Sequence, residues 1–593
     1  MDDFLLLNCK YKSGMVCTAT VCYYICFVER SASGSPKYTN CRPRIAPGST
    51  VIGFVEESGS KLPSALVKLF FLFKVISWIQ WVSYLSIGKP EADVIVVGSG
   101  IGGLCCGALL ARYNQDVLGS SGKPSSTRFR NFVVFVNRKV KKVLDALGES
   151  LPCATYDSWM VYIPEGEFLS RIGPQTFSRI SRRMLVQMLR KNGENFFDAI
   201  LPLSTAAMAL PPLSIRGDWG VLSTAGARYA PSLLKSFAQM GPQGALGATK
   251  LLRPFSEIIN SLGLKDPFIR NWVDLLAFLL AGVKSDGILS AEMIYMFSEW
   301  YKPGCCLEYP LHGSGAVVDA LVRGLEKFNG RLSLRSHVEN IVVEDGRAIG
   351  VKLRGGQFVR AKKAVVSNAS MWDTLNLLPK EVVPKPYQER IQMTPQCESF
   401  MHLHLGFDAE GIREDLGIHH IVVNDWERGV DADQNVVLIS VPSVLSPDLA
   451  PPRKHVLHAY TPGTEPFELW EGLDRRSNEY KELKAQRSEV MWKAVERALG
   501  PGFDREKCEV KLVGTPLTHQ RFLRRNRGTY GPAIKAGKGS FPGHSTPIPQ
   551  LFCCGDSTFP GIGVPAVAAS GAIVANSLVS VSQHSELLDA VGI

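Results

Sequence analysis

One short stretch constrains the fold of this chain more than any other. Residues 92–97 (ADVIVV) form a nearly continuous apolar run, the pattern of a strand buried on both faces. The run passes directly into Gly98-Ser99-Gly100-Ile101-Gly102-Gly103 and then into a helical stretch over residues 104–113. Gly98, Gly100 and Gly103 stand in G-x-G-x-x-G spacing within a strand–turn–helix context. The first glycine permits a tight turn, the second lets a pyrophosphate approach the backbone, and the third lets helix and strand pack closely. The helix start offers its N–H groups to the phosphates. The spacing predicts dinucleotide binding here, against the alternative of a purely structural glycine turn.

Such a unit ordinarily continues into a second strand ending in an acidic residue about 20 positions on, which binds the adenosine ribose. Asp116-Val117-Leu118 begins that strand and then passes into GSSGKPSSTRFRN. No Asp or Glu occurs between Val117 and Leu144, and Lys123, Arg128, Arg130, Arg138, Lys139, Lys141 and Lys142 fill the interval. Two readings are open: a basic site of the NADP type, or a second strand that is absent or replaced. The second is preferred.

Further pieces of the same domain lie far along the chain. Val318, Leu321, Leu325 and Phe328 form one apolar helical face, closed by Gly330 where a terminating glycine belongs. A short strand over 331–334 and two hairpins follow, turned at Asp345-Gly346 and Gly355-Gly356, with a last strand over 363–366. Near the carboxyl end, residues 550–554 (QLFCC) read as a strand entering Gly555-Asp556-Ser557. The loop FPGIGVP then opens a small-residue helix over 566–579, whose Ala568, Ala569, Gly571, Ala572 and Ala575 allow close backbone approach. A carboxylate at a strand end can bind a sugar-alcohol hydroxyl, and a helix start at residues 563–565 can stabilise negative charge on a reduced flavin ring.

With these pieces in order, the sequence resembles the FAD-dependent amine-oxidase and phytoene-desaturase-like flavoproteins, and within them the plant carotenoid isomerases. The resemblance covers residues 91–117, 143–173 and, nearly continuously, 199–593. It is carried by phrases such as WYKPGCCLEYPLHGSGAVVDALVRGL, THQRFLRRNRGTYGP and CCGDSTFPGIGVPAVAASGA. It implies an α/β protein: a discontinuous Rossmann-like FAD-binding domain (residues 91–173, 303–370 and 547–593) with an inserted α+β substrate domain (199–302 and 371–546). Residues 1–90 would be a leader.

Carried over, the family's pattern places Gly98, Ser99, Gly100, Ile101 and Gly103 at the FAD pyrophosphate. It places the backbone of Val338 at the adenine, Gly555 and Asp556 at the ribityl chain, and Gly563 and Val564 near the flavin ring. The implied activity is conversion of poly-cis lycopene to the all-trans form in plastids, with reduced FAD and no net redox change. The alternatives are a net oxidoreductase on the same fold (a carotenoid desaturase or retinoid saturase) and a flavin-poor homologue without catalysis. No side chain presents itself as an obligatory acid or base, so catalytic residues are unassigned. Residues 118–142 depart from the family, offering Ser121 where it would have a Glu, and residues 172–197 are unusually basic.

The remaining features bear on partners. A net charge of +11 permits an anionic membrane surface, but no nucleic-acid module accompanies it. The most apolar stretch, residues 65–87, is interrupted by Lys68, Lys74 and Gln80, which favours a monotopic or core-packed helix over a spanning one. Asp2 and Asp3 argue against a secretory signal, and a transit-like bias over 31–50 is faint. The 14 cysteines lack any C-x-x-C and read as small buried apolar groups.

Asp266-Pro267 is a helix start, opening an almost wholly apolar helix followed by Met293, Met296, Phe297 and Trp300. Ordinary core is the first reading of that stripe, and the lining of a polyene tunnel the second. His402/His404 and His419/His420 lack a third ligand at metal spacing, so no metal is expected. Arg521, Arg524, Arg525 and Arg527 are expected at a surface or flavin-adjacent loop.

Overall fold

The apolar run after Pro90 forms the strand Glu91–Val97, which lies inside a seven-stranded mixed sheet. In a computed structural model, the residues described are 29–30, 36–37, 89–122, 138–173, 210–232, 234–235, 238, 249–301 and 304–593. Most of the leader region, the apolar stretch 65–87 and the runs 123–137 and 174–197 lie outside them. Glu29–Arg30 pairs antiparallel with Pro36–Lys37. Among the described residues, no helix is long and apolar enough to cross a membrane.

The strand order of the first sheet is Val338–Glu344, Arg347–Leu353, Phe358–Ser367, Glu91–Val97, Val117–Ser120 and Arg331–Ser333, with Leu551–Cys553 also paired to Phe358–Ser367. The second strand of the nucleotide unit is therefore present, which corrects the preferred reading that it is absent or replaced. Val117–Ser120 runs parallel to Glu91–Val97, with Val94 opposite Val117 and Val97 opposite Ser120. Arg331–Ser333 flanks it on the other side, also parallel. Four residues suffice because the strand is hydrogen-bonded along both edges and buried throughout. Both hairpins turn where expected, with Asp345 and Gly346 at φ +48° and +73° and Gly356 at +82°.

On one face of this sheet pack the helices Ile101–Arg112, Arg138–Leu147, Gly315–Lys327 and Val564–Ser577, enclosing a core that includes Leu109, Leu144, Leu321 and Val574. The glycine-turn helix and Val564–Ser577 cross closely. A Cβ on Gly571 would lie 2.2 Å from the carbonyl oxygen of Gly102, so only glycine allows that approach.

A second seven-stranded sheet has the order Val510–Gly514, His402–Asp408, Lys454–Tyr460, Val436–Ser440, His419–Val423, Ser158–Ile163 and Gly166–Arg171. The hairpin Ser158–Ile163/Gly166–Arg171 was expected with the nucleotide-binding part, inside 91–173. It joins the second sheet instead, through parallel pairing of Met160–Tyr162 with His420–Val422. One sheet face buries Leu403, Leu405, Leu457 and Ala459 against the 22-residue helix Asn478–Leu499.

The opposite side meets the apolar helix Pro267–Ala281, which starts as read: the Asp266 carboxylate accepts from Ile269 N–H at 3.1 Å. Its apolar circumference is divided between two cores. Ile269, Val273 and Leu276 pack with Met293, Met296 and Phe297, while Leu275 and Phe278 pack with Trp159, Val161 and Ile421. The methionine stripe is thus ordinary core. Of the described cysteines, Cys105, Cys106, Cys397, Cys508, Cys553 and Cys554 are buried and Cys306 is exposed.

Candidate functional site

The glycine turn, the strand end at Asn368 and the Gly555-Asp556 loop come together at the carboxyl ends of the first sheet's parallel strands, where open α/β sheets bind ligands. Gly98 sits at φ +99° and donates its N–H to Ser120 O at 3.0 Å. Gly100 caps the helix Ile101–Arg112 with extended backbone and no side-chain hydrogen bond. The N-cap glycine thus has no side chain to bond the N–H groups of the first turn, Ile101 among them, and groups so left suit an anion. A Cβ on Gly103 would stand 2.3 Å from the Gly98 carbonyl oxygen, so this glycine sets how closely helix and strand pack.

Asn368 was not singled out from sequence, yet it occupies the middle of this arrangement. Its N–H bonds Val97 O at 2.8 Å, joining two parallel strands at their ends. Its side-chain amide lies where a Cβ on Gly100, Gly102 or Gly555 would stand, at 2.7, 2.8 and 2.9 Å respectively. A side chain at residue 100 would therefore first meet the Asn368 amide.

Ser99 and Ser121 face one another, Oγ to Oγ at 2.9 Å. Ser121 is buried just beyond the second strand, tied by its N–H to Ser333 O and by its carbonyl to Ser336 N–H. This is the end of the second strand, where the family pattern has a carboxylate. Val338 begins its strand in register with Leu353 and is buried in the sheet's other core, with Ile95 and Leu118. Beside it, burial lowers the pKa of His337.

Gly555, at φ +106°, donates its N–H to Ser570 Oγ at 3.1 Å. Asp556 is ion-paired to Arg525 and accepts from Ser557 Oγ at 3.2 Å. Arg525 is itself fixed by donating to the carbonyls of Thr529 (2.7 Å) and Tyr530 (2.9 Å). The arginine run is expected at a surface or flavin-adjacent loop, and of it Arg525 pairs with Asp556. Near this pair, burial raises the Asp373 carboxyl above its ordinary pKa, opposed by hydrogen bonds from Ser370 and the Asn526 N–H. Burial also pushes Tyr530 up to about 12, keeping it a neutral phenol.

Gly563, at φ +98°, precedes the helix that Val564 begins. The direction a Cβ would take at Gly563 points to the Leu280 carbonyl, 4.0 Å away. The end of the apolar helix Pro267–Ala281 therefore abuts the loop expected beside a flavin ring. The glycine cradle, the uncapped helix start and the strand-end carboxylate fit a dinucleotide cofactor of the FAD kind. Asn368 lines the cradle, and Ser121 offers a hydroxyl at the end of the second strand.

The histidines are arranged differently from expectation. His402 and His404 alternate along one strand as read, but the neighbouring strand brings His458 directly opposite His404. A third imidazole thus joins the pair, through pairing that sequence spacing does not display. Burial holds His404 down at about 4 and lowers His402 and His458 strongly, so all three rings are neutral near pH 7.

No protein-family model matches the chain. Among curated proteins, it is 35% identical over 337 residues to prolycopene isomerase 1, chloroplastic, of an Oncidium hybrid cultivar, covering 55% of this chain and 56% of that protein. It is 29% identical over 527 residues to prolycopene isomerase, chloroplastic, of Daucus carota, covering 84% and 82%. It is 27% identical over 296 residues to all-trans-retinol 13,14-reductase of Danio rerio, covering 44% and 46%. The chain thus spans about half the length of the first of these relatives and most of the second. Among solved structures, a putrescine oxidase variant superposes with TM-score 0.53 at 14% identity, covering 82% of this chain and 99% of that one. The chain has the discontinuous Rossmann-like fold of the amine-oxidase-like FAD oxidoreductases, and it is related to the plant prolycopene isomerases at moderate identity.

Proposed function

We propose that this chain is a FAD-dependent carotenoid isomerase that converts poly-cis lycopene to all-trans lycopene without net redox change, at a plastid membrane surface. The observation that carries the reading is the approach of the Pro267–Ala281 helix end to the Gly563 loop, where the Leu280 carbonyl lies 4.0 Å from the place a Cβ on Gly563 would take. Similarity to the two plant proteins supports the substrate class. The FAD-binding part is assigned to residues 91–157, 303–370 and 547–593. The substrate part takes 199–302 and 371–546, together with the 158–171 hairpin.

Reduced FAD, when bound, supplies a reversible electron store that can lower the double-bond order of a polyene. The chain's own residues do the remaining work. The turn at residues 98–103 would hold the pyrophosphate, and Asp556, oriented by Arg525, would take a ribityl hydroxyl. The start of Val564–Ser577 favours negative charge on the ring. Leu279, Leu280 and the aromatic side chains of Phe268 and Trp272 exclude water from an apolar substrate.

Incubating the reduced holoprotein with prolycopene tests this reading. The expected product has unchanged mass and an all-trans absorption spectrum. A product shifted by two hydrogens overturns it in favour of a net oxidoreductase, the second reading, which the similarity to the retinol reductase favours.

Two predictions follow from the proposed FAD contacts. Asp556→Ala is expected to weaken FAD binding by about 1.5–3 kcal/mol, the range for a hydrogen bond to a charged group, or roughly 10- to 150-fold. Titration calorimetry of apo-protein reads this directly, and wild-type affinity in the variant reduces Asp556 to a partner of Arg525. Ser121→Glu runs the other way. A carboxylate at the end of the second strand supplies the missing ribose acceptor, so affinity should rise by about the same factor. Unchanged affinity shows that the ribose does not lie at this strand end.

A further inference from the structure

The FAD reading leaves unused a group of side chains on the second sheet. His402 and His404 lie two apart on one strand and so share a face. His458, on the antiparallel neighbour, is paired in register with His404. One nitrogen from each of the three rings lies within 4.8 Å of the other two. Nδ1 of His402 and Nε2 of His458 are 2.9 Å apart, and the rings of His404 and His458 lie 4.4 Å apart, centroid to centroid. We propose that His402, His404 and His458 form a binding site for one borderline divalent transition-metal ion of the zinc or iron(II) class, with its fourth position open to water.

The backbone supplies the reason. Two imidazoles at i and i+2 on one strand, with a third directly across on the next, is a way for a sheet to gather three nitrogens without any loop. Three histidines plus an open position is an established zinc ligand set. An ion bonded at about 2.0–2.1 Å to two nitrogens at a tetrahedral angle needs them about 3.3 Å apart. The His402–His458 pair, hydrogen-bonded at 2.9 Å, reaches that by opening by about 0.4 Å and tilting both rings, with the proton of the donor nitrogen passing to that ring's other nitrogen. The ring of His404 lies within 7° of parallel to that of His458, so binding turns His404 about its outer torsion until its in-plane lone pair faces the ion.

Three neutral nitrogen donors with no carboxylate select zinc, cobalt, iron(II) or copper over magnesium and calcium. The site does not rest on the proposed isomerase activity.

The test uses the full chain carrying a purification tag without histidine. After chelator treatment, the protein is titrated with Co²⁺ and followed by visible d–d absorption, with Zn²⁺ as competitor and metal content measured by mass spectrometry. One equivalent of Co²⁺ in a low-symmetry site, displaced by Zn²⁺, is expected. His404→Gln and His458→Asn should each lose the band while keeping wild-type circular dichroism. His312→Ala, which removes an exposed histidine paired with Asp448, should keep the band. If the wild-type protein takes up no stoichiometric Co²⁺ or Zn²⁺, or if both cluster variants keep the band, the proposal is overturned and the rings are a neutral hydrogen-bonded stack.

Discussion

Gly103→Ala is expected to leave the purified protein without flavin. A Cβ at residue 103 would stand 2.3 Å from the Gly98 carbonyl oxygen and 3.0 Å from Asn368 Cβ. The first of these is backbone in the turn itself, so no rotamer change relieves the contact, and the helix start must move away from the strand. That movement pulls on the bond from Leu104 N–H to Gly100 O, on Gly98 N–H to Ser120 O, and on Asn368 N–H to Val97 O. The N–H groups proposed to face the phosphates are displaced together with the turn. Gly100→Ala should be milder, because its Cβ would meet only the Asn368 side-chain amide, which can rotate. Flavin absorbance per mole of protein, measured beside circular dichroism on both variants, checks the order. Wild-type flavin content in folded Gly103→Ala would place the phosphate site elsewhere.

The difference between those two glycines shows what the sequence does and does not display. A strand, a G-x-G-x-x-G turn and a helix are local, and each is written in contiguous residues. The same holds for the hairpin turns, for the Asp266 cap and for the small-residue helix before which Gly555-Asp556 stands. Each of these is found where the residue pattern put it. Asn368 is different. It matters because two strands some 270 residues apart run parallel side by side, and that pairing leaves no local trace.

The second strand was misread for a related reason. Its four residues, VLGS, carry little apolar signal, and its stability comes from ladders to Glu91–Val97 and Arg331–Ser333 on either side. The 158–171 hairpin was legible as strands but not as part of the second sheet, whose parallel partner lies at 420–422. His458 stands 56 residues from His402, and only strand register brings the two together. Local chemistry was readable; cross-strand chemistry needed the fold.

Glu465 and Arg487 extend that argument to the largest expected loss of stability. The Glu465 side chain is fully buried and accepts from Arg487 Nε (2.9 Å), Arg487 Nη2 (2.7 Å) and Trp470 Nε1 (2.9 Å). Arg487, 11% exposed, also reaches Asp433 at 3.0 Å. Glu465→Gln removes one charge and leaves the guanidinium buried with only the half-exposed Asp433. Breaking a buried pair in this way costs about 3–5 kcal/mol, because the remaining charge has lost its water without a full replacement. The loss should propagate. Glu465 exchanges two backbone hydrogen bonds with Ser399, each 3.0 Å, and Ser399 Oγ donates to Gly528 O at 2.8 Å. That segment continues through Thr529 to Arg525 and so to Asp556. A lower urea midpoint, followed by tryptophan fluorescence with Trp470 beside the change, is therefore expected in Glu465→Gln. Adding Arg487→Met should recover most of it, since replacing both charges removes the uncompensated one. If the double variant is no more stable than the single one, the loss lies in the hydrogen bonds of Glu465 rather than in the stranded arginine.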